Sequence, residues 1–291
     1  VWAGRTDAIA AVDAAVEQAA AAGSPLEVAL FLDEDDRDAV WRVVAMLAAS
    51  AVPVVRWTAF DATDPYRRST SEAVAAMGRE ALEQSVPGAA LGAGTPADFV
   101  WLNRGRTLYD EVDALTWAIV PSFHLADDRS VMDNAGAQAS TVRSARAFGE
   151  GRALWVGPVE LSRRPRAADP RQSTAFAAAW TVASLADLCA ADPGALTYFE
   201  TSGPRGVISE AGEPYPVYAV FEHLAHMRGG RQQSVVSSPP RELAGLFVEQ
   251  GSQSVGLVAN LTDRPRPTRV DGPAGPLLDQ VLQPYEVVRL G

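Results

Sequence analysis

The chain has 291 residues, 47% of them hydrophobic, and a formal net charge of −11. That length supports one large domain or one large and one small, and no run of 18 or more apolar residues offers a transmembrane helix. The acidic balance argues against nucleic acid or an anionic membrane as partner, since both require basic surface.

All 25 basic residues are arginine, which excludes Schiff-base, PLP-anchoring and P-loop lysines. The single cysteine, Cys189 in SLADLCAADPG, has no partner for an internal disulfide and reads as a small buried hydrophobe. The expected location is cytoplasmic.

In chain order, VWAGRTDAIAAVDAAVEQAAAAG opens almost at once on an amphipathic helix, without an initiator Met or a signal-peptide pattern. The expectation is therefore a piece of a longer protein. LEVALFL (26–32) reads as a strand. Asp33 then caps a helix with an acidic first turn, EDDRDAVWRVVAMLAAS, and VPVVRW (52–57) is the next strand. The helix TSEAVAAMGREALEQS leads to the strand GAALGAG (88–94), followed by a loop and a short helix. LTWAIVPSFH (115–124), the helix MDNAGAQASTVRSARAFGE, the strand ALWVGPVEL (153–161), the helix QSTAFAAAWTVASLADLCAA and the strand LTYFE (196–200) complete the series.

Strands and helices alternating at a spacing of roughly 30–45 residues indicate parallel βα units. No strand is followed by GxGxxG or a Walker motif, so a nucleotide-binding open sheet lacks its main support. Polar residues gather just past the strand ends, where barrel enzymes keep their chemistry. The predicted fold class is α/β, a (β/α)8 TIM-barrel-like domain over 1–228, possibly incomplete at its N-terminus. The helix VYAVFEHLAHM (217–227) closes it, and residues 229–291 read as a small C-terminal antiparallel β module with strands SVVSS, LAGLFVEQ, SVGLVANLT and EVVRL.

Several strand ends carry candidate chemistry. Glu200 ends LTYFE and enters the loop TSGPRG; a charge there must be paired or used. It is a candidate catalytic carboxylate, the alternative being a salt bridge to Arg205 that holds the loop. His124 ends its strand and is a candidate general base, with Asp127 or Asp128 to orient it. The alternatives are a loop-stiffening histidine and, for the two aspartates, a helix cap. Glu160 ends the strand one βα unit before Glu200. Facing carboxylates would suit glycosidic chemistry, at about 5–5.5 Å for retention and about 6.5–9.5 Å for inversion; an ion pair with Arg163 is the plainer reading.

Asn103 and Arg104 in WLNRGR are candidate contacts to sugar hydroxyls, or simply solvent-facing. Arg163, Arg164, Arg166 and Arg171 crowd one loop and would suit a carboxylate-bearing substrate, or form a solvated lid. His223 and His226 stand three apart on a helix without a third ligand at zinc spacing, so neither a metal nor a cofactor is expected. No Gly-x-Ser-x-Gly elbow supports a serine nucleophile.

Four segments, 92-GAGTPADFVWLNRGR-106, 118-AIVPSFHLADDRSVMDNAGAQASTVRSARAF-148, 169-DPRQSTAFAAAWTVASL-185 and 197-TYFETSGPRGV-207, together resemble the D-apionate lactonase family, from about residue 25 to near the C-terminus. The resemblance implies a sugar-hydrolase-like barrel with accessory β domains that opens the lactone of a branched sugar acid, and an N-terminal β region with early barrel strands ahead of this sequence. Pro96 stands where the family pattern has aspartate, and Glu160 where it has threonine. On this resemblance the expected activity is hydrolysis of a sugar-acid lactone by water attack, with Glu200, His124 and Glu160 as catalytic candidates and Asn103, Arg104, Arg163 and Arg205 as substrate contacts. A glycoside hydrolase with Glu200 as nucleophile and a non-catalytic carbohydrate-binding barrel are the alternatives. The expected partner is a small carbohydrate or sugar acid.

Overall fold

A computed structural model describes residues 1–291 except 163–165, 228, 239–240 and 274. The elements run α1 (Ala8–Ala22), β1 (Leu26–Leu32), α2 (Arg37–Ala49), β2 (Val54–Asp61), α3 (Glu72–Ser85), β3 (Leu91–Asp98), α4 (Phe99–Gly105), β4 (Ala114–Ile119), α5 (Asp128–Ala135), α6 (Gln138–Phe148), β5 (Ala153–Val159), α7 (Ala175–Ala190), β6 (Ala195–Tyr198), β7 (Glu200–Ser202), β8 (Gly206–Ile208) and α8 (Pro216–Ala225). The C-terminal strands are β9 (Arg231–Gln233), β10 (Leu243–Gln250), β11 (Gln253–Asn260), β12 (Arg266–Gly272), β13 (Gly275–Leu282) and β14 (Val287–Leu290).

Local chemistry explains these boundaries. Gly23, at φ +62°, ends α1 in the left-handed conformation that an L side chain resists, and its N–H bonds back to Ala19 and Ala20. Ser71 caps α3 by accepting from Val74 N–H at 3.3 Å. The predicted helix over 132–150 is two helices, because the chain turns at Gly136–Ala137. The predicted strand 115–124 stops at Ile119, just ahead of Pro121, which has no N–H to give a ladder. VPVVRW is only the start of a strand that runs on to Asp61.

Two compact units are distinguished: residues 1–119, 144–158 and 194–197 form one, and 120–143, 159–193 and 198–291 the other. The first holds a six-stranded sheet in the sequential order β1-β2-β3-β4-β5-β6. Its pairs β1–β2, β2–β3 and β3–β4 are parallel, the sign of βα units wound in one direction. Every residue of β4 is buried, as a strand covered on both faces requires. One face of the sheet packs Leu30, Leu32, Trp57, Ala59 and Leu91 against Val43, Val44 and Leu47 of α2 and Met77 and Leu82 of α3.

On the opposite face the first and sixth strands meet: Thr197 Oγ1 on β6 donates to Glu27 Oε2 on β1 at 2.7 Å, and Arg56 of β2 pairs with the same carboxylate. A flat six-stranded sheet would hold those strands well over 20 Å apart at about 4.8 Å per strand, so the sheet is curled. Glycines fit that inner face. A Cβ on Gly92 would lie 2.7 Å from the Trp155 ring, and one on Gly157 would lie 2.8 Å from Thr197 Cβ. This is a TIM-barrel-like (β/α) arrangement, as the alternation predicts.

The second unit is built on α7, whose residues from Phe176 to Leu185 are all buried, as is Leu188. The antiparallel strands β14-β11-β10-β9 form its larger sheet, and β12 and β13 form a hairpin. SVVSS (234–238) is not a strand: β9 lies at Arg231–Gln233, and Val236 is 93% exposed. The β12–β13 hairpin has no counterpart among the predicted strands, because Pro265 and Pro267 disguise it. The two-stranded ladder has only edges, where a proline is tolerated. Among the described residues no helix is long and apolar enough to cross a membrane.

Candidate functional site

In the second unit a polar cluster forms around Glu160, the residue that follows β5. Glu160 follows the strand directly and is 3% exposed. Its Oε2 pairs with Arg205 Nη1 at 3.3 Å. The same guanidinium donates to Ser162 O at 2.8 Å and Ser162 Oγ at 3.1 Å, and its Nη2 donates to Arg166 O. Arg205 thus ties Glu160, Ser162 and Arg166 to the turn 203–206. An ion pair taken out of water needs such added hydrogen bonds to offset desolvation.

Glu200 opens β7, is half-buried, and pairs with Gly206 in the β7–β8 ladder. Its N–H donates to Arg205 O at 3.2 Å. Gln172, 3% exposed, supports the same loop by donating from Nε2 to Gly206 O at 2.9 Å. Two glutamates from successive strand ends therefore bracket one arginine, Glu160 through its side chain and Glu200 through its backbone. The alternative that the sequence offers for Glu200 is a salt bridge to Arg205; Arg205 forms an ion pair with Glu160.

The strand preceding Glu200 is anchored from below. Ser184, fully buried on α7, lies 2.7 Å from the Tyr198 hydroxyl and donates to Gln138 Oε1. The donor order makes Tyr198 the donor to Ser184. Enclosure of this hydroxyl by the protein pushes the Tyr198 phenol well above its ordinary value.

His124 lies in the turn after β4, is exposed, and meets the Phe123 ring edge-on at 4.6 Å between centroids. Neither aspartate offered as its orienter is used that way. Asp127 accepts from Ser130 N–H at 3.0 Å as the cap of α5, and that bond holds its carboxyl below the usual range. Asp128 accepts from Arg171 Nη1 at 2.9 Å. Arg171 is also forked onto Asp169, so it is a loop clamp. Arg163 and Arg164 lie outside the described residues, as does the predicted Glu160–Arg163 pair. His223 and His226 border an open cleft of about 670 Å³ with Glu222 and Arg289.

In the first unit, Asn103 and Arg104 are exposed on α4, and the Arg104 guanidinium lies 5.4 Å from the Trp101 ring centre. At the end of β2, Asp61 is 7% exposed and accepts from Thr63 N–H at 2.9 Å, from the Thr63 hydroxyl and from Arg68. The sequence reading missed it by ending that strand at Trp57. The alternation continues through TAFD to a carboxylate ahead of a turn, the signal that would have found it.

The family model for the TIM barrel domain of D-apionate lactonase matches residues 2–229. A curated D-apionate lactonase from Brucella anthropi is 26% identical over 234 residues, 72% of this chain and 37% of that protein. The chain thus spans little more than a third of that relative. Among solved structures, a GH30 endoxylanase from Clostridium papyrosolvens C71 matches with a TM-score of 0.63 at 10% identity, over 99% of this chain and 84% of that one. A glycoside hydrolase family 30 subfamily 8 xylanase from Clostridium acetobutylicum matches with a TM-score of 0.59 at 11% identity, over 94% and 81%. At these identities the likeness is one of fold.

Proposed function

Because the chain belongs to the D-apionate lactonase TIM-barrel-domain family, we propose that it is a carbohydrate-active hydrolase that opens a sugar-acid lactone by water attack. The observation that carries this reading is the cluster of Glu160, Ser162 and Arg205 beside Glu200, gathered just past the C-terminal ends of β5 and β6. That is the end of a β/α barrel where chemistry is placed.

Glu200, half-buried where β7 begins, is the general base in this reading. Glu200 takes a proton from water as the water oxygen bonds to the lactone carbonyl carbon, and the carbonyl π pair moves to oxygen. Collapse of the tetrahedral intermediate breaks the ring C–O bond, and the departing ring oxygen takes the proton, giving the hydroxy acid. The positive field of Arg205 favours the oxyanion, while its hydrogen bonds hold the Glu200 loop in place. His124, exposed in its turn, carries no step.

The test is proton release from a panel of sugar lactones, the apionate lactone among them, by wild type and Glu200→Gln side by side. Turnover by wild type and its loss in the variant support the reading. A folded wild type that opens none of them would reject it.

A further inference from the structure

Between β6 and β7 the chain passes through Phe199 at φ +37°, the left-handed region that a bulky L residue resists. Such a conformation persists only where its surroundings over-determine it, and it is concentrated at sites where geometry matters. The surroundings here are specific. The Phe199 ring meets Trp180 of α7 at 6.3 Å, Phe221 of α8 edge-on at 6.2 Å and Tyr198 at 5.7 Å. Tyr198 and Phe221 also touch, at 5.8 Å, which closes the set.

The backbone is held as well. Phe199 N–H donates to Val159 O at 3.3 Å, directly before Glu160, and the Tyr198 hydroxyl is anchored on Ser184 and through it on Gln138. The next residue along the chain is Glu200. A regular extended residue at 199 would carry the strand straight on; the left-handed one turns it into the β7–β8 ladder, where Glu200 N–H meets Arg205 O.

We propose that Phe199 is a positioning residue: its strained backbone, clamped by Trp180, Tyr198 and Phe221, sets the direction in which the Glu200 carboxylate leaves the strand. The proposal rests on the reading of Glu200 as the base. It assigns no contact with substrate to Phe199 itself.

The test compares wild type with Phe199→Leu, which keeps bulk but loses the aromatic clamp, and Phe199→Gly, which loses both the strain and the clamp. Tyr198→Phe removes only the hydroxyl anchor. Turnover is measured on whichever lactone the wild type opens, alongside the thermal midpoint and the carboxyl ¹³C resonance of Glu200, assigned by its absence in Glu200→Gln.

The expected result is a kcat at least tenfold lower in both Phe199 variants with KM within twofold, and a displaced Glu200 resonance. A purely structural role would lower the thermal midpoint and leave kcat of the folded protein unchanged, which overturns the proposal. If neither Phe199 variant folds, Tyr198→Phe decides it: a several-fold fall in kcat sustains it and a wild-type kcat overturns it. If the wild type opens no lactone, the functional reading fails on its own. The resonance then decides the positioning role, displaced in its favour and unmoved against it.

Discussion

Arg205 and Glu160 form a buried ion pair, Nη1 to Oε2 at 3.3 Å, with side chains 13% and 5% exposed. Removing the cation takes the counter-charge from a buried carboxylate, so Arg205→Met is expected to cost about 3–5 kcal/mol. Glu160→Gln should cost less, about 1–2 kcal/mol, because Arg205 keeps its bonds to Ser162 and Arg166. Urea unfolding of both single variants and the double variant gives the coupling. Strict additivity of the two losses would show that the pair does not hold this loop.

Glu200→Gln removes the proposed base while keeping the shape of the side chain. Loss of a positioned general base lowers rates by about 10²–10⁴-fold, so lactone opening should fall by at least 10² with an unchanged circular dichroism spectrum. A loss of less than tenfold would move the base elsewhere in the cluster.

His124→Ala should leave turnover within about threefold, since the imidazole is exposed and meets the Phe123 ring edge-on. A hundredfold loss in steady-state assays would return the base role to His124.

Gly94→Ala tests the six-stranded sheet of the first unit. At φ +155° a Cβ there would run into the carbonyl of Thr116 on β4, backbone that cannot step aside cheaply. The expected loss is about 3 kcal/mol by denaturant midpoint, at the upper end for overpacking. A neutral substitution would mean that β3 and β4 lie further apart than described.

Alkaline stability reports on Tyr285, which stacks edge-on with Phe176 at 5.0 Å and is pushed up to about 12, first by burial and then by Asp128 and Asp263. The folded state therefore holds this proton more tightly than the unfolded chain, whose phenol titrates near 10. Stability from this group is fully present below pH 10 and is lost as pH rises through about 12. Tyr285→Phe should flatten that fall. Tyr198, displaced upward by burial, accounts for a further part, so the double variant should be flatter still. Urea midpoints between pH 9 and 12 check this, and equal slopes in wild type and double variant would contradict it.

The βα alternation was legible from residue patterns alone because short apolar runs mark the strands and longer helix-forming stretches bounded by turn residues mark the helices, and both are local properties. So was the concentration of carboxylates at strand ends, where a charge interrupts an apolar run: Glu160 and Glu200 stand out in one dimension. Asp127 reads as a cap for the same reason, its partner Ser130 being three residues away. What local pattern could not reach was partnership. Arg205 lies five residues from Glu200 and 45 from Glu160, yet it is the distant carboxylate that it pairs with. The bond between Thr197 and Glu27 spans 170 residues, and no periodicity announces it. Nor does LTYFE announce its break, since Thr197, Tyr198 and Phe199 all favour strand. Phe199 is left-handed with its ring packed against Trp180 and Phe221, on two separate helices. The sequence by itself determined the βα alternation and where charge interrupts it; the tertiary structure decided which charges meet and how the strand is bent, because those depend on side chains brought together only once the helices have packed.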